Sequence, residues 1–239
     1  MWSGPRNIST AMMRSFSARG DCAVSDEPFY GAFLKDSGEP HPMAAQVIAD
    51  MDCDWHSVLA TQSGAARDGK PIWYQKHMPH HMVGPISIAD MPHHRHAFLI
   101  RAPERVIASY RAKNELHGAE MLGFSKLRRY FEYEAQRIGT PPPVIDSDDI
   151  LADPAGVLEA LCQALCITWT PAMLSWARGP HPDDGIWGAH WYDRVNTSTG
   201  FGDAPSPAPQ LDGEFQQLAE QCREDYEAVL VHAIRAQSP

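Results

Sequence analysis

The chain has 239 residues, a formal net charge of −10 and 44% hydrophobic residues. That length suits one α/β domain with a sizeable core and is short for two. The negative charge argues against a nucleic-acid partner, and no apolar run approaches the ~20 residues that a membrane-spanning helix needs.

The first sixteen residues carry the strongest local signal. Met1–Ser3 reads as a short strand, Gly4-Pro5 as a tight turn, and Ser9–Arg19 as an apolar-periodic helix. That order sets Arg6, the hydroxyls of Ser9 and Thr10, and the amides of Asn7 through Thr10 at a helix N-terminus. Unpaired N–H groups and the positive end of the helix dipole make such a place an anion site. It is not a Walker A loop, because G-x-x-x-x-G-K-[ST] is missing. A Ser/Thr-capped helix after a turn would give the same pattern, so the stretch alone leaves both readings open. Only Met1 and Trp2 precede the loop, whereas a central strand usually has about five or six residues. The expectation is that the natural chain starts upstream of Met1; no signal peptide is visible.

Further strands are expected at Ala23–Ser25, Ile72–Lys76, Ala97–Arg101 and Val144–Asp146. Helices are expected at Asp54–Ala65, Pro103–Asn114, Phe124–Ile138 and Pro154–Ala164, with Pro103 and Pro154 in the first turns that favour proline. The alternation predicts an α/β fold, a parallel sheet flanked by helices, in one domain over 1–239. Residues 200–210 read as a surface loop or lid. Leu211–Gln237 reads as a C-terminal helix with Phe215, Leu218, Cys222, Tyr226, Val229 and Ile234 on one side.

Five cysteines (Cys22, Cys53, Cys162, Cys166, Cys222) are odd in number and lack a C-x-x-C pair, which reads as reduced thiols in a cytoplasmic protein. Cys162 and Cys166 share one helix face and read as core. Six of the twelve histidines (His77, His80, His81, His93, His94, His96) crowd one stretch. No H-E-x-x-H or similar carboxylate spacing accompanies them, so pocket and surface roles are expected and no metal.

Two stretches together resemble the sulfotransferase family. Pro5-Arg6-Asn7-Ile8-Ser9-Thr10 is similar to its P-R-S-G-S/T-T loop, and Ala97–Arg111 is similar to its 3′-phosphate motif, a strand ending in Arg-x-Pro before a helix with Ser then Tyr. Asp148-Asp149-Ile150-Leu151-Ala152-Asp153-Pro154 resembles the family's "E-D-L…D-P" segment. The resemblance implies a P-loop NTPase-like fold. It also implies transfer of a sulfonate from 3′-phosphoadenosine-5′-phosphosulfate (PAPS) to a hydroxyl of a small molecule, without a metal. On it, Arg6, Asn7, Ile8, Ser9 and Thr10 hold the 5′-phosphosulfate, and Arg101 and Ser109 hold the 3′-phosphate.

For the catalytic base, Ser25-Asp26-Glu27-Pro28-Phe29-Tyr30 resembles the "G-E-P…F-F" segment of bacterial sulfotransferases acting on sugars, which assigns Glu27. Trp73–His81 partly resembles the "K-x-H-L-P" segment of those acting on phenols and steroids, in a different register. That makes Lys76 a sulfonate ligand and His77 a second candidate base. Gly185–Trp191 is similar to the late "R-K-G-x-x-G-D-W" loop, but Asp183-Asp184 stand in place of Arg-Lys, and Arg194 is the candidate substitute. Trp187 and Trp191 read equally as core aromatics. The competing readings are a P-loop phosphotransferase, for which Asp146 would be the acid after an apolar strand, and an inactive nucleotide-binding protein of the same fold. The expected partner is a small-molecule acceptor, with neither nucleic acid nor membrane; a homodimer is left open.

Overall fold

The computed structural model describes residues 1–236. Five parallel strands form its centre: β1 (Trp2–Ser3), β2 (Cys22–Asp26), β3 (Ile72–Lys76), β4 (Phe98–Ile100) and β5 (Val144–Asp146). Ladders join β2 to β3, β1 to β4 and β4 to β5. A parallel bridge from Trp2 to His77 brings the two groups together in the order β2-β3-β1-β4-β5. Short as it is, β1 occupies the middle, fixed by Trp2 N–H to Ala97 O (2.9 Å) on one side and Ser3 N–H to His77 O (3.0 Å) on the other.

The strands are apolar on both faces because helices cover both. Along β4, Phe98 and Ile100 enter one core with Trp2, Phe29, Phe131 and Val144, while Leu99 faces the opposite core with Met12, Met13, Phe16, Val24 and Ile145. The period of two delivers alternate residues to opposite faces, and every one of these side chains is buried. The first core is closed by α2 (Tyr30–Ser37), α3 (Ala44–Asp50), α4 (Trp55–Gln62) and, further along the chain, α6 (Phe124–Ile138). The second is closed by α1 (Ser9–Ser17) and by α8 (Pro154–Ala164).

In the second half, α5 (Pro103–Arg111), α6 (Phe124–Ile138), α7 (Ser147–Ala152) and α8 (Pro154–Ala164) follow their strands. Two short turns, α9 (Gly188–Trp191) and α10 (Asp193–Asn196), precede α11 (Gly213–Leu230). The helices expected at Phe124–Ile138 and Pro154–Ala164 have those bounds, whereas three others are shorter. The first ends at Ser17, because Gly20 turns the chain at φ 80° and Arg19 donates across that turn to Asp21 at 2.9 Å. The Asp54–Ala65 segment starts one residue later because Asp54 caps it, its carboxylate accepting from Ser57 N–H at 2.8 Å. The Pro103–Asn114 segment ends at Arg111.

The C-terminal helix ends at Leu230, after which Ile234 N–H bonds Val144 O at 2.8 Å, so the chain runs on beside β5. Phe215, Leu218 and Cys222 pack with α5, Val229 joins the first core, and Ile234 joins the second core from beyond the helix; Gln237 lies outside the described residues. Cys162 is buried, but Cys166 is exposed past the end of α8 with φ 53°, so the two do not share a helix face. All five cysteines are unpaired. No helix of the described residues is long and apolar enough to cross a membrane.

Candidate active site

At the carboxyl ends of the strands, where ligands enter open α/β sheets, lies a cavity of about 570 Å³. Its walls include Arg6 through Ala11, Glu27, Lys76, Arg101, Ser109 and Arg194. The loop from Gly4 to Ile8 is held in an unusual shape. Arg6 (φ 63°) and Ile8 (φ 57°) are both left-handed, a conformation costing of order 1–3 kcal/mol for each non-glycine residue. Tertiary contacts enforce it. Arg101 Nη1–H donates to Arg6 O (2.9 Å), Asn7 Nδ2–H donates to Leu99 O (3.2 Å), and the Ser147 hydroxyl lies 3.0 Å from Asn7 O. A side chain at Gly4 would place its Cβ 2.8 Å from Leu122 O, so the loop passes too close for anything larger.

With the carbonyls of Arg6 and Asn7 tied back by Arg101 and Ser147, and the Asn7 side chain anchored on β4, the loop leaves its amides free. The first helical bond of α1 runs from Met12 N–H to Ile8 O, so the amides of Ser9, Thr10 and Ala11 have no helical partner. Beside them, Arg6 Nε–H donates to Ser109 Oγ at 3.0 Å, uniting the loop, the end of β4 and α5 in one corner. Arg6, Arg101 and Arg194 crowd there. Burial first, then mutual repulsion with Arg194, lowers Arg6; burial lowers Arg101, against the pull of Asp148. Asp148, 3.9 Å from Arg101 Nε, offsets part of that positive charge, and a bound anion would offset the rest.

Across the cavity from that corner, Lys76 Nζ is 2.6 Å from Asp26 Oδ1, 2.9 Å from Glu27 Oε1, 2.7 Å from Tyr192 Oη and 3.3 Å from Thr10 Oγ1. Burial would strip this ammonium of its proton, but Asp26, Glu27 and Tyr192 outweigh burial and hold it well above the ordinary lysine value. Glu27 is also left-handed (φ 45°) and lies 3.5 Å from His81 Nδ1. His81 stacks on Tyr30 and Phe33, and burial keeps it neutral.

Of the residues expected from sequence, Arg6, Asn7, Ile8, Ser9, Thr10, Glu27, Lys76, Arg101 and Ser109 therefore line one cavity. His77 does not. Its ring sits between Trp2 (4.8 Å) and Phe29 (5.8 Å), its Nε2 pairs with Gln75 at 3.2 Å, and burial holds it far below the ordinary imidazole value. The reason is strand alternation: Lys76 points into the crevice, so its neighbour points into the core. The histidine beside Glu27 is His81, which follows β3 in a tight turn. Asp26 and Tyr192 were also missed. Asp26 had a signal, adjacency to Glu27 at a strand end; Tyr192 had none.

The late acidic pair points away from the arginine corner. Asp184 forms two bonds with Arg14, at 2.5 and 2.6 Å, and Asp183 meets Arg67 at 2.9 Å. Arg194, ten residues on, is the cation this segment brings to the cavity. Trp187 is buried and also touches the cavity, its Nε1–H donating to Tyr192 Oη at 3.2 Å. Among the described residues, no three His, Cys, Asp or Glu side chains converge as a metal site.

The cavity thus sets a loop of unpaired amides and a buried Lys–Glu pair at the same edge of a parallel sheet. The model of the sulfotransferase domain family matches residues 1–232, and the chain belongs to that family. Two relatives from Arabidopsis thaliana are similar to it in sequence. Branched-chain-amino-acid aminotransferase-like protein 2 is 34% identical over 235 residues, covering 97% of this chain and 41% of its own length. Branched-chain-amino-acid aminotransferase-like protein 1 is 36% identical over 200 residues, covering 84% of this chain and 36% of its own. The chain thus spans about two fifths of the relatives it matches. The solved structure of a sulfotransferase from Alicyclobacillus acidocaldarius has the same fold, with a TM-score of 0.53, 11% identity, and coverage of 98% of this chain and 96% of that one.

Proposed function

We propose that the chain transfers a sulfonate from PAPS to a hydroxyl of a small molecule, with Glu27 as the base. The observation that carries this reading is the cavity itself. One opening joins a loop of unpaired amides, an arginine corner with Ser109, and a buried ammonium bonded to a carboxylate.

The residues fit the two ends of such a donor. Arg6 and the amides of Asn7 to Thr10 bind the 5′-phosphosulfate, and Arg101 and Ser109, with Arg194, bind the 3′-phosphate. The donor supplies the sulfonate; everything else is positioning and electrostatics. Glu27 takes the proton of the acceptor hydroxyl as its oxygen bonds to sulfur. Lys76, held charged beside Thr10, meets the negative charge left on the oxygen whose bond to sulfur breaks.

The phosphotransferase alternative would use Asp146 as the acid that follows an apolar strand. That carboxylate is already committed: it caps α7 by accepting from Asp148 N–H at 2.7 Å, and it accepts from Tyr226 Oη–H at 2.9 Å. Calorimetry with adenosine 3′,5′-bisphosphate, followed by a turnover assay with PAPS and a panel of hydroxyl acceptors, tests the proposal. Tight binding that depends on the 3′-phosphate, with turnover, is expected. Indifference to the 3′-phosphate would overturn the donor assignment, and binding without turnover would make the chain a nucleotide-binding protein of this fold.

A further inference from the structure

Two adjacent carboxylates share the Lys76 ammonium, and their surroundings differ. Glu27 forms part of the cavity wall, whereas Asp26 lies behind it with its side chain 1% exposed. Asp26 Oδ1 receives Lys76 at 2.6 Å. Its Oδ2 accepts from Tyr192 Oη–H at 2.7 Å and from Gly185 N–H at 3.2 Å. Three donors thus converge on Asp26 from β3 and from the segment around α9. Glu27, by contrast, has one oxygen on Lys76 and the other 3.5 Å from a neutral imidazole, within reach of whatever occupies the cavity.

We propose that Asp26 is a positioning residue whose fixed negative charge keeps Lys76 compensated while Glu27 gains and loses a proton. This rests on Glu27 being the base. Before proton transfer the buried group holds one positive and two negative charges; afterwards it holds one of each. Without Asp26, a proton on Glu27 would leave a buried ammonium with no counter-charge, among the costliest arrangements a protein interior can hold. Glu27 would then keep its negative charge more stubbornly and be a weaker base. Two neighbouring carboxylates set to different tasks by their environments is a known way to run proton chemistry near neutrality.

The other titratable groups around Glu27 do not supply that charge. His81, in the turn after β3, and His41, before α3, are both lowered by burial. Tyr30 on α2 and Tyr192 after α9 are both raised by burial and stay neutral. Burial raises Asp26, the Lys76 ammonium opposes this, and the neighbouring Glu27 adds to the rise. The charge on Asp26 rests on its geometry, the ammonium at 2.6 Å on one oxygen and the Tyr192 hydroxyl at 2.7 Å on the other. Asp26 and Lys76 are therefore the charges that Glu27 feels at close range.

The experiment compares the full chain with Asp26→Asn and Asp26→Glu, measuring turnover against pH and the titration of carbon-13-labelled Glu carboxyls, with Glu27→Gln assigning the Glu27 signal. Asp26→Asn should lower kcat by up to about 10-fold and move the acidic limb of the profile, and the Glu27 signal with it, down by about one pH unit. Asp26→Glu should restore much of both. A merely structural role would lower kcat and leave the limb in place, and that result overturns the proposal. Should Asp26→Asn not fold, Lys76→Met and Lys76→Met/Asp26→Asn carry the same test. With the lysine gone, Asp26 is a like charge beside Glu27, and its removal must lower the Glu27 transition by about one pH unit. No difference between those two variants overturns the proposal as well. The carbon-13 titration needs neither donor nor acceptor, so failure of the PAPS assignment, read by calorimetry with adenosine 3′,5′-bisphosphate, remains distinguishable.

Discussion

Glu27 and His77 were both candidate bases on sequence, and their surroundings separate them. Glu27 lines the cavity in a left-handed conformation, while the His77 ring is packed among Trp2, Phe29 and Gln75. Removing a general base typically costs ~10²–10⁴-fold in rate. Glu27→Gln should therefore lose turnover in that range and still bind nucleotide, whereas His77→Asn should lower the melting temperature with a smaller loss of turnover; steady-state assays and thermal melts check both. Arg6 gives a second contrast. It meets Ser109 at the loop, while Arg111 stacks 3.4 Å over Phe215 on the far turn of α5. Arg6→Ala should weaken adenosine 3′,5′-bisphosphate binding about 10- to 150-fold, the equivalent of ~1.5–3 kcal/mol for a charge-assisted bond, and Arg111→Ala should leave calorimetric affinity nearly unchanged.

At the scale of elements, the segment carrying α9 and α10 is bolted to α1 by the Arg14–Asp184 pair. Its two bonds of 2.5 and 2.6 Å are joined by one from Arg14 to Asn196 at 3.3 Å, with side chains 2% and 8% exposed. Breaking a buried pair leaves a charge without a partner, at roughly 3–5 kcal/mol. Arg14→Ala should therefore unfold at much lower denaturant, while Arg67→Ala, whose bond to Asp183 is made by a side chain 57% exposed, should cost under ~1 kcal/mol. The turn between β3 and β4 makes the stability depend on pH. There His96 Nδ1 accepts from Trp2 Nε1–H at 3.0 Å, its Nε2–H donates to Met91 O at 3.1 Å, and burial pushes the ring down to about 3. An unfolded histidine binds its proton near 6.5, so between about 3 and 6.5 the unfolded chain holds more protons. Stability is full above that window and falls as pH drops through it, by at most ~1.4 kcal/mol per pH unit for each such histidine. His77, His80 and His81 act in the same direction. Melts from pH 7 to 5 should show the decline, and His96→Gln should flatten it.

Over the whole molecule, a net charge of −10 surrounds a cavity corner holding three arginines. The long-range field would repel an anionic donor of the kind proposed, so its affinity would come from local bonds. Preference for a 3′-phosphorylated nucleotide should accordingly depend on Arg101, which also ties the loop by its bond to Arg6 O. Arg101→Ala should erase most of the difference in affinity between adenosine 3′,5′-bisphosphate and adenosine 5′-monophosphate, measured side by side by calorimetry. A variant that keeps the preference would move the 3′-phosphate to Arg194.

The alternation of apolar strands with periodic helices, the proline-started helices and the loop at residues 5–10 were all legible in the chain, because they depend on local period and local backbone chemistry. So was the grouping of Arg6, Arg101, Ser109, Glu27 and Lys76, since strand ends of a parallel sheet meet at one edge. The helix at Tyr30–Ser37 was not, because Pro28 and the aromatics around it gave no capping signal and its ends are set by packing. That His77 packs on Trp2 while His81 sits beside Glu27 needed the pleat of β3 and the tight turn after it. Asp184 read as a lost phosphate contact until Arg14, 170 positions away, proved to hold it. The Asp26–Lys76–Tyr192 group likewise joins residues up to 166 positions apart. Sequence determined which chemistry the strand ends could offer; only the tertiary structure decided which charges were buried together, because a buried charge is defined by partners that come from elsewhere in the chain.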